Sequence, residues 1–131
     1  SLDLYEGAGF LSRLDPELVA VIGEVNKKVA KNTVTDGGGQ DNFTDKVFLL
    51  SRVETGLGAE GDVAGEFVYP FYDGIANAGR IKQLNGSNRY WWLRSPYVSI
   101  SSLVRGVYAG GSLDYSHADN AYGVSPACVI I

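Results

Sequence analysis

Methionine is absent from this chain of 131 residues, at position 1 included, and cysteine and histidine occur once each, as Cys128 and His117. A single cysteine excludes an internal disulfide and a zinc site built from cysteines. A single imidazole excludes any two-histidine metal motif. No apolar run approaches the roughly 18 residues that a membrane-spanning helix needs. Ser1 to Phe10 lacks the basic and apolar blocks of a secretory leader. A chain without an initiating Met reads as processed or excised from a longer protein. Basic residues are also too few and too scattered for a nucleic-acid partner, since the net charge is -4 and phosphate binding needs clustered Lys and Arg.

Four residue types go missing together. Residues 1–96 hold 5 Lys, 6 Glu, 2 Gln and 2 Trp, whereas residues 97–131 hold none of the four. What is there is otherwise ordinary: 45% hydrophobic and 20% charged residues fit one soluble globular domain.

Asp15-Pro16-Glu17 reads as an N-cap, a proline at the first helical position and an acid in the first turn. Leu14, Leu18, Val21, Ile22, Val25 and Val29 follow at spacings of three and four, and Lys27, Lys28 and Lys31 close the segment. That spacing predicts an amphipathic helix from Asp15 to Lys31, packed by one face on a core. Asp36 to Asn42 reads as a Gly-rich loop whose spacing does not match a calcium loop, so no metal is assigned to it. Val47 to Leu50 has strand length, and Ser51 and Glu54 have capping-box spacing, which predicts a helical turn. Thr55 to Glu66 reads as an exposed loop, and Pro70 demotes Phe67 to Tyr72 to an edge strand or irregular segment. In Arg89 to Arg94, the densest aromatic block, alternation turns one of Trp91 and Trp92 inward. Beyond Pro96, short apolar pieces are separated by turn residues, as in strands. A helix first and strands after is the α+β pattern.

Little here points to catalysis. His117 lies near Asp114 and Asp119, but a triad is recognised by geometry rather than by local crowding, so His117 reads as a surface or contact residue. Cys128, within Ala-Cys-Val-Ile-Ile, reads as a buried and inert thiol. No Gly-rich segment has the context of a phosphate loop. No catalytic residue, cofactor or metal is assigned. Residues 97–131 are instead rich in Tyr and Ser, with 4 and 6 of them. Paratopes have this composition, in which Tyr gives rigid contact area and Ser adaptable hydrogen bonding. Turns between strands would account for it equally well.

Thr44-Asp-Lys-Val-Phe-Leu-Leu-Ser51 with Glu54, Tyr90-Trp-Trp-Leu-Arg-Ser-Pro96, Gly123-Val124 and Pro126-Ala127 resemble the motifs of a bacterial and phage family of C-type-lectin-like fold. The resemblance runs from about Phe10 to Ile131, with Ser125 standing where the family usually has Arg. It implies an α+β fold, with an N-terminal helix packed on a small antiparallel sheet with long loops. It also implies one domain over 1–131, scaffold in 1–96 and a ligand-binding region in 97–131. Some members resemble targets of diversity-generating retroelements, in which adenines of Asn codons are varied. Such variation cannot reach Lys, Glu, Gln, Met or Trp, the types absent after Pro96. The resemblance then implies a non-enzymatic, hypervariable binding or display module of a phage tail or bacterial surface protein, extracellular or on the virion. Its partner would be a protein or glycan on a cell surface, with no nucleic acid, no membrane insertion and oligomerisation left open.

The ligand-contacting residues on this reading are Tyr97, Ser99, Ser102, Arg105, Tyr108, Ser112, Asp114, Tyr115, His117, Asp119, Asn120 and Tyr122. All of these but Arg105, together with Ile100, Leu103, Gly106, Gly110 and Ser116, read as varied positions. Val104, Val107, Leu113, Ala118, Val124 and Ala127 read as fixed. Tyr97, Tyr108, Tyr115 and Tyr122 are the expected hot spots. The alternative is a carbohydrate-binding domain with a fixed site around Trp92 and Asp114. An enzyme of the formylglycine-generating type would need paired cysteines, and an assembly domain would bury the C-terminal face.

Overall fold

The computed structural model describes residues 9–131. Residues 1–8, most of the Ser1 to Phe10 stretch that lacks the blocks of a leader, lie outside the described residues. Phe10–Arg13 forms a 3-10 helix that buries Leu11. The Asp15 cap forms as its sequence dictates: its carboxylate accepts from the Glu17 N–H at 2.8 Å, with Pro16 at the first position. The helix it opens, α1 (Pro16–Val21), ends after six residues and buries none of them. The backbone is extended at Ile22, and β1 (Ile22–Gly23) and β2 (Val25–Ala30) follow.

The helix expected to reach Lys31 is therefore not formed. The α+β, C-type-lectin-like arrangement of an N-terminal helix packed on a sheet is corrected with it. The reason lies in the same residues. Val21, Ile22, Val25 and Val29 are β-branched and stiff at χ1, and Gly23 would cost a helix interior about 1 kcal/mol. In the extended chain Lys27 and Ala30 turn inward instead.

The remaining strands, in chain order, are β3 (Gln40–Asp45), β4 (Phe48–Leu49), β5 (Lys82–Leu84), β6 (Ser87–Arg89), β7 (Trp91–Pro96), β8 (Leu103–Val107), β9 (Leu113–His117), β10 (Pro126–Ala127) and β11 (Val129–Ile130). All pair antiparallel, as β1–β11, β10–β4, β2–β3, β5–β6 and the three-stranded β7–β8–β9. The Asp36 loop thus stops at Gly39, because Gln40 already pairs with Ala30. Pro70–Tyr72 and Asn77–Arg80 are 3-10 helices.

The core gathers on β7. Trp91 and Leu93 point inward with Val107 of β8 against Phe48, Leu50 and Tyr72, while Trp92 is only half-buried. The neighbouring Arg94 N–H donates to the Leu50 carbonyl at 3.0 Å, which ties β7 to the end of β4. A smaller cluster joins Leu11, Ile22 and Val47. Cys128 is exposed, which corrects the buried thiol expected from its apolar neighbours. It sits between two-residue strands that are paired on one edge only, so nothing among the described residues covers it, and Ile130 and Ile131 beside it are exposed as well.

Candidate functional site

The segment 97–122 leaves and rejoins the same strand. Pro96 ends β7, and at the other end Gly123 docks back on it. The Trp92 N–H donates to the Gly123 carbonyl and the Gly123 N–H to the Tyr90 carbonyl, each at 3.0 Å. A Cβ at Gly123 would lie 2.9 Å from that Tyr90 oxygen, so the docking needs glycine.

Beneath this segment, β7 is held by buried charge. Glu54 pairs with Lys27 at 2.7 Å and with Arg94, which also reaches Glu66 at 3.2 Å. Arg94 donates further to the carbonyls of Lys28 and Leu49, at 2.9 and 2.8 Å. Burial alone would raise the Glu54 carboxyl, but hydrogen bonds from Arg94 and Lys27 outweigh it and hold the group below its ordinary value. These charges are mutually satisfied, as buried ions must be.

A second carboxylate reaches into the segment itself. Glu60 accepts both the Nε and Nη2 of Arg105, the Arg52 guanidinium at 3.2 Å and the Val98 N–H at 3.1 Å. Those contacts hold the Glu60 carboxyl low against the opposing effect of burial. Arg105 lies over the Tyr97 ring at 4.0 Å and near Tyr115 at 5.8 Å, and the two rings meet edge to face. Both Glu60 and the fully buried Thr55 fall in the stretch read from sequence as an exposed loop.

The opposite face of the sheet carries an aromatic platform. Trp92, Gly106 and Asp114 stand side by side across β7, β8 and β9. Strand alternation puts them on the face away from Trp91, Val107 and Leu113. Tyr90 roofs Gly106 and packs against Trp92 and Tyr122, with ring centroids 5.3 and 4.2 Å apart. Tyr122 also meets Trp92 at 5.3 Å. The Tyr90 hydroxyl is buried without a hydrogen-bond partner among the described residues. Burial pushes this phenol well up, and Asp114 and Tyr122 add to the effect.

The sequence-predicted contact residues do not share one face. Tyr97, Arg105 and Tyr115 come together beside Glu60, with His117 exposed farther along β9. Asp114 and Tyr122 belong to the opposite, aromatic face. Tyr108 and Ser112 bracket the hairpin tip, where the Tyr108 N–H donates to the Ser112 carbonyl at 2.8 Å. Ser99 and Ser102 are exposed before β8, and Asp119 and Asn120 after β9, Asn120 reaching Ser116 at 2.7 Å. Arg105 is half-buried in its ion pair and is a support rather than a free contact. Sequence reasoning missed Glu60 and Tyr90. Nothing local marks Glu60, whereas Tyr90 stood in the aromatic block already singled out.

No group of three or more His, Cys, Asp and Glu side chains that could hold a metal occurs among the described residues. Among them, too, no helix is long and apolar enough to cross a membrane. Aromatic faces, hydroxyls, the Asp114 and Asp119 carboxylates and the His117 imidazole are what this surface offers a ligand. The family model that matches, over residues 1–131, is described as Domain of unknown function (DUF6273). No curated protein and no solved structure matches the chain.

Proposed function

We propose that this chain, which belongs to the DUF6273 family, is a non-enzymatic ligand-binding module that presents residues 97–122 on a scaffold built by the rest of the domain. The observation that carries the reading is the closure of that segment. Both of its ends are tied to β7, and Val107 of β8 and Leu113 of β9 anchor the segment in the core while its loops and the hairpin tip project from it. Tyr108, Tyr115 and Tyr122 are 54%, 50% and 42% exposed on it. Presenting aromatic rings on a preformed backbone limits the ordering cost of binding.

On this proposal the partner is a protein or glycan displayed on a cell surface, and the module works outside the cell or on a virion. The absence of Lys, Glu, Gln and Trp from 97–131 supports adenine-directed variation of the segment. Sequencing the source locus tests that part. The expected result is a template repeat differing at adenines opposite these codons, beside a reverse-transcriptase gene; an uninterrupted locus without either overturns it. Binding itself is tested on cell-surface protein and glycan arrays. Tyr108→Ala and Tyr115→Ala should each lose signal, and unchanged binding by both would overturn the assignment of the surface.

The Trp92–Gly106–Asp114 row favours a second reading, a carbohydrate site of fixed position. The Trp92, Tyr90 and Tyr122 rings with the Asp114 carboxylate at the edge of the cluster suit a sugar, whose apolar face stacks while its hydroxyls donate. Trp92→Ala abolishing glycan binding while Tyr108→Ala spares it would favour this reading over the first.

A further inference from the structure

A cleft outside 97–122 has its own chemistry. The β5–β6 hairpin turns on Asn85-Gly86, both at positive φ (52° and 79°), and places Lys82 directly opposite Arg89. Like charges facing each other across a ladder are destabilising. Among the described residues no carboxylate pairs with either cation, in a chain whose net charge is -4. Both cations line a cleft of about 260 Å³ between the hairpin and the 123–126 segment. Tyr90 and Trp91 lie at its base, and the Lys82 ammonium is drawn to 5.1 Å from the Trp91 ring. Leu84 and Val124, 58% and 64% exposed, stand at its rim. A separate hollow of about 410 Å³ on the other side of Arg89 is lined also by Ala121 and Tyr122, and no Asp or Glu lines either one.

We propose that this cleft binds the carboxylate of a small apolar organic acid, either free or as the C-terminus of a peptide. Lys82 and Arg89 would bracket the carboxylate, which relieves their mutual repulsion. Leu84, Val124 and the Tyr90 ring would cover the apolar body. A bound anion is favoured here because two unneutralised cations converge on a hollow with apolar walls, where charge-assisted hydrogen bonds are strongest. The site is built wholly from residues before Pro96 and after Tyr122. It would therefore stay constant while the adjoining surface changes, and it stands or falls independently of the variation proposed above.

Isothermal titration of the full chain tests it with four probes: phenylacetate, phenylacetamide, and Gly-Gly-Phe with a free or an amidated C-terminus. At least one acid should bind, with its amide about tenfold weaker, and added salt should weaken the acid. Binding by phenylacetate identifies a free acid as sufficient; binding by the free-ended peptide alone identifies a peptide terminus. The Lys82→Gln/Arg89→Gln double variant should lose about tenfold in affinity, while Lys82→Arg/Arg89→Lys keeps it. The Gln pair should melt at or above the wild-type temperature, since a repulsion is removed. Three results each overturn the proposal: no acid binding at millimolar concentration, equal binding of acid and amide, or full binding by the well-folded Gln pair.

Discussion

Ser51 and Glu54 cap each other. The Ser51 N–H donates to Glu54 Oε1 at 2.9 Å, and the Glu54 N–H donates to Ser51 Oγ at 3.1 Å. The same carboxylate is the meeting point of Lys27 and Arg94, so one side chain closes a local turn and pairs with two cations from distant strands. The two roles are separable by mutation. Ser51→Ala removes the cap and the hydroxyl's contact with Glu66 but leaves the Glu54 ion pairs, and is expected to cost about 1–2 kcal/mol. Glu54→Ala leaves Lys27 without a carboxylate and Arg94 with Glu66 alone, and is expected to cost about 3–5 kcal/mol. Urea unfolding of both variants measures the difference, and equal losses would mean that the ion pairs contribute nothing beyond the cap.

Acid should act on the two carboxylates around Arg94 with opposite sign. The folded Glu54 carboxyl lies below its ordinary value of 4.5, as does that of Glu60. Their contribution is fully present above that value and is lost as pH falls through the folded values. Glu66 is raised by burial, against the opposing pull of the Ser51 hydroxyl and Arg94. Its ionisation therefore takes stability away as pH rises through the raised value. Glu66→Gln is expected to equal or exceed the wild type at neutral pH and to converge on it in acid. Thermal unfolding across pH 3 to 7 checks this, and a Glu66→Gln loss matching that of Glu54→Ala would refute it.

How far the sequence could be read depended on the range of the forces involved. Local chemistry was legible: the Asp15 cap, the Ser51–Glu54 box and the break at Pro70 all rest on residues within a few positions of one another. The continuation of α1 was not. The three-and-four spacing of Leu18, Val21, Ile22 and Val25 is shared by a helix and by an apolar run that extends after Val21, and partners far along the chain, Glu54, Tyr69 and the Phe48 ring, decide where Lys27 goes. Asn85-Gly86 is a local hairpin signal of the same kind as the Asp15 cap. For the candidate site, the boundary at Pro96 does coincide with the end of β7. The side chains beyond it divide between two faces because strand alternation, not composition, decides which way each points.

Adjacent glycines at the β8–β9 tip should respond in opposite ways. Gly111 has φ +91°, and a Cβ there would overlap the Asn77 carbonyl oxygen, so this glycine seats the hairpin on the Asn77–Arg80 helix. Gly111→Ala is expected to cost about 3 kcal/mol from backbone strain and overlap together. A Cβ at Gly110 would meet only the Tyr108 ring, at an ordinary 3.6 Å. Gly110→Ala should stay within about 0.5 kcal/mol of the wild type. Of the pair, only Gly110 is among the positions expected to vary. Chemical denaturation of the two single variants is sufficient to test the contrast.

Gly106 poses the sharper test of a surface that tolerates exchange. It too reads as a varied position, yet a Cβ there would run into the Tyr90 ring that roofs it. Tyr90 in turn is packed against Trp92 and Tyr122 and cannot yield without disturbing both. Gly106→Ala is therefore expected to cost about 1–3 kcal/mol and to shift the Trp92 fluorescence as the aromatic stack opens. Tyr108→Ala, whose ring is 54% exposed, should change stability by less than about 0.5 kcal/mol. If Gly106→Ala folds with unchanged stability and emission, the platform is adaptable rather than preformed. If it behaves as expected, exchange in this segment is confined to positions whose side chains leave Tyr90 in place, and a residue at 106 other than glycine must come with a different arrangement of the whole face.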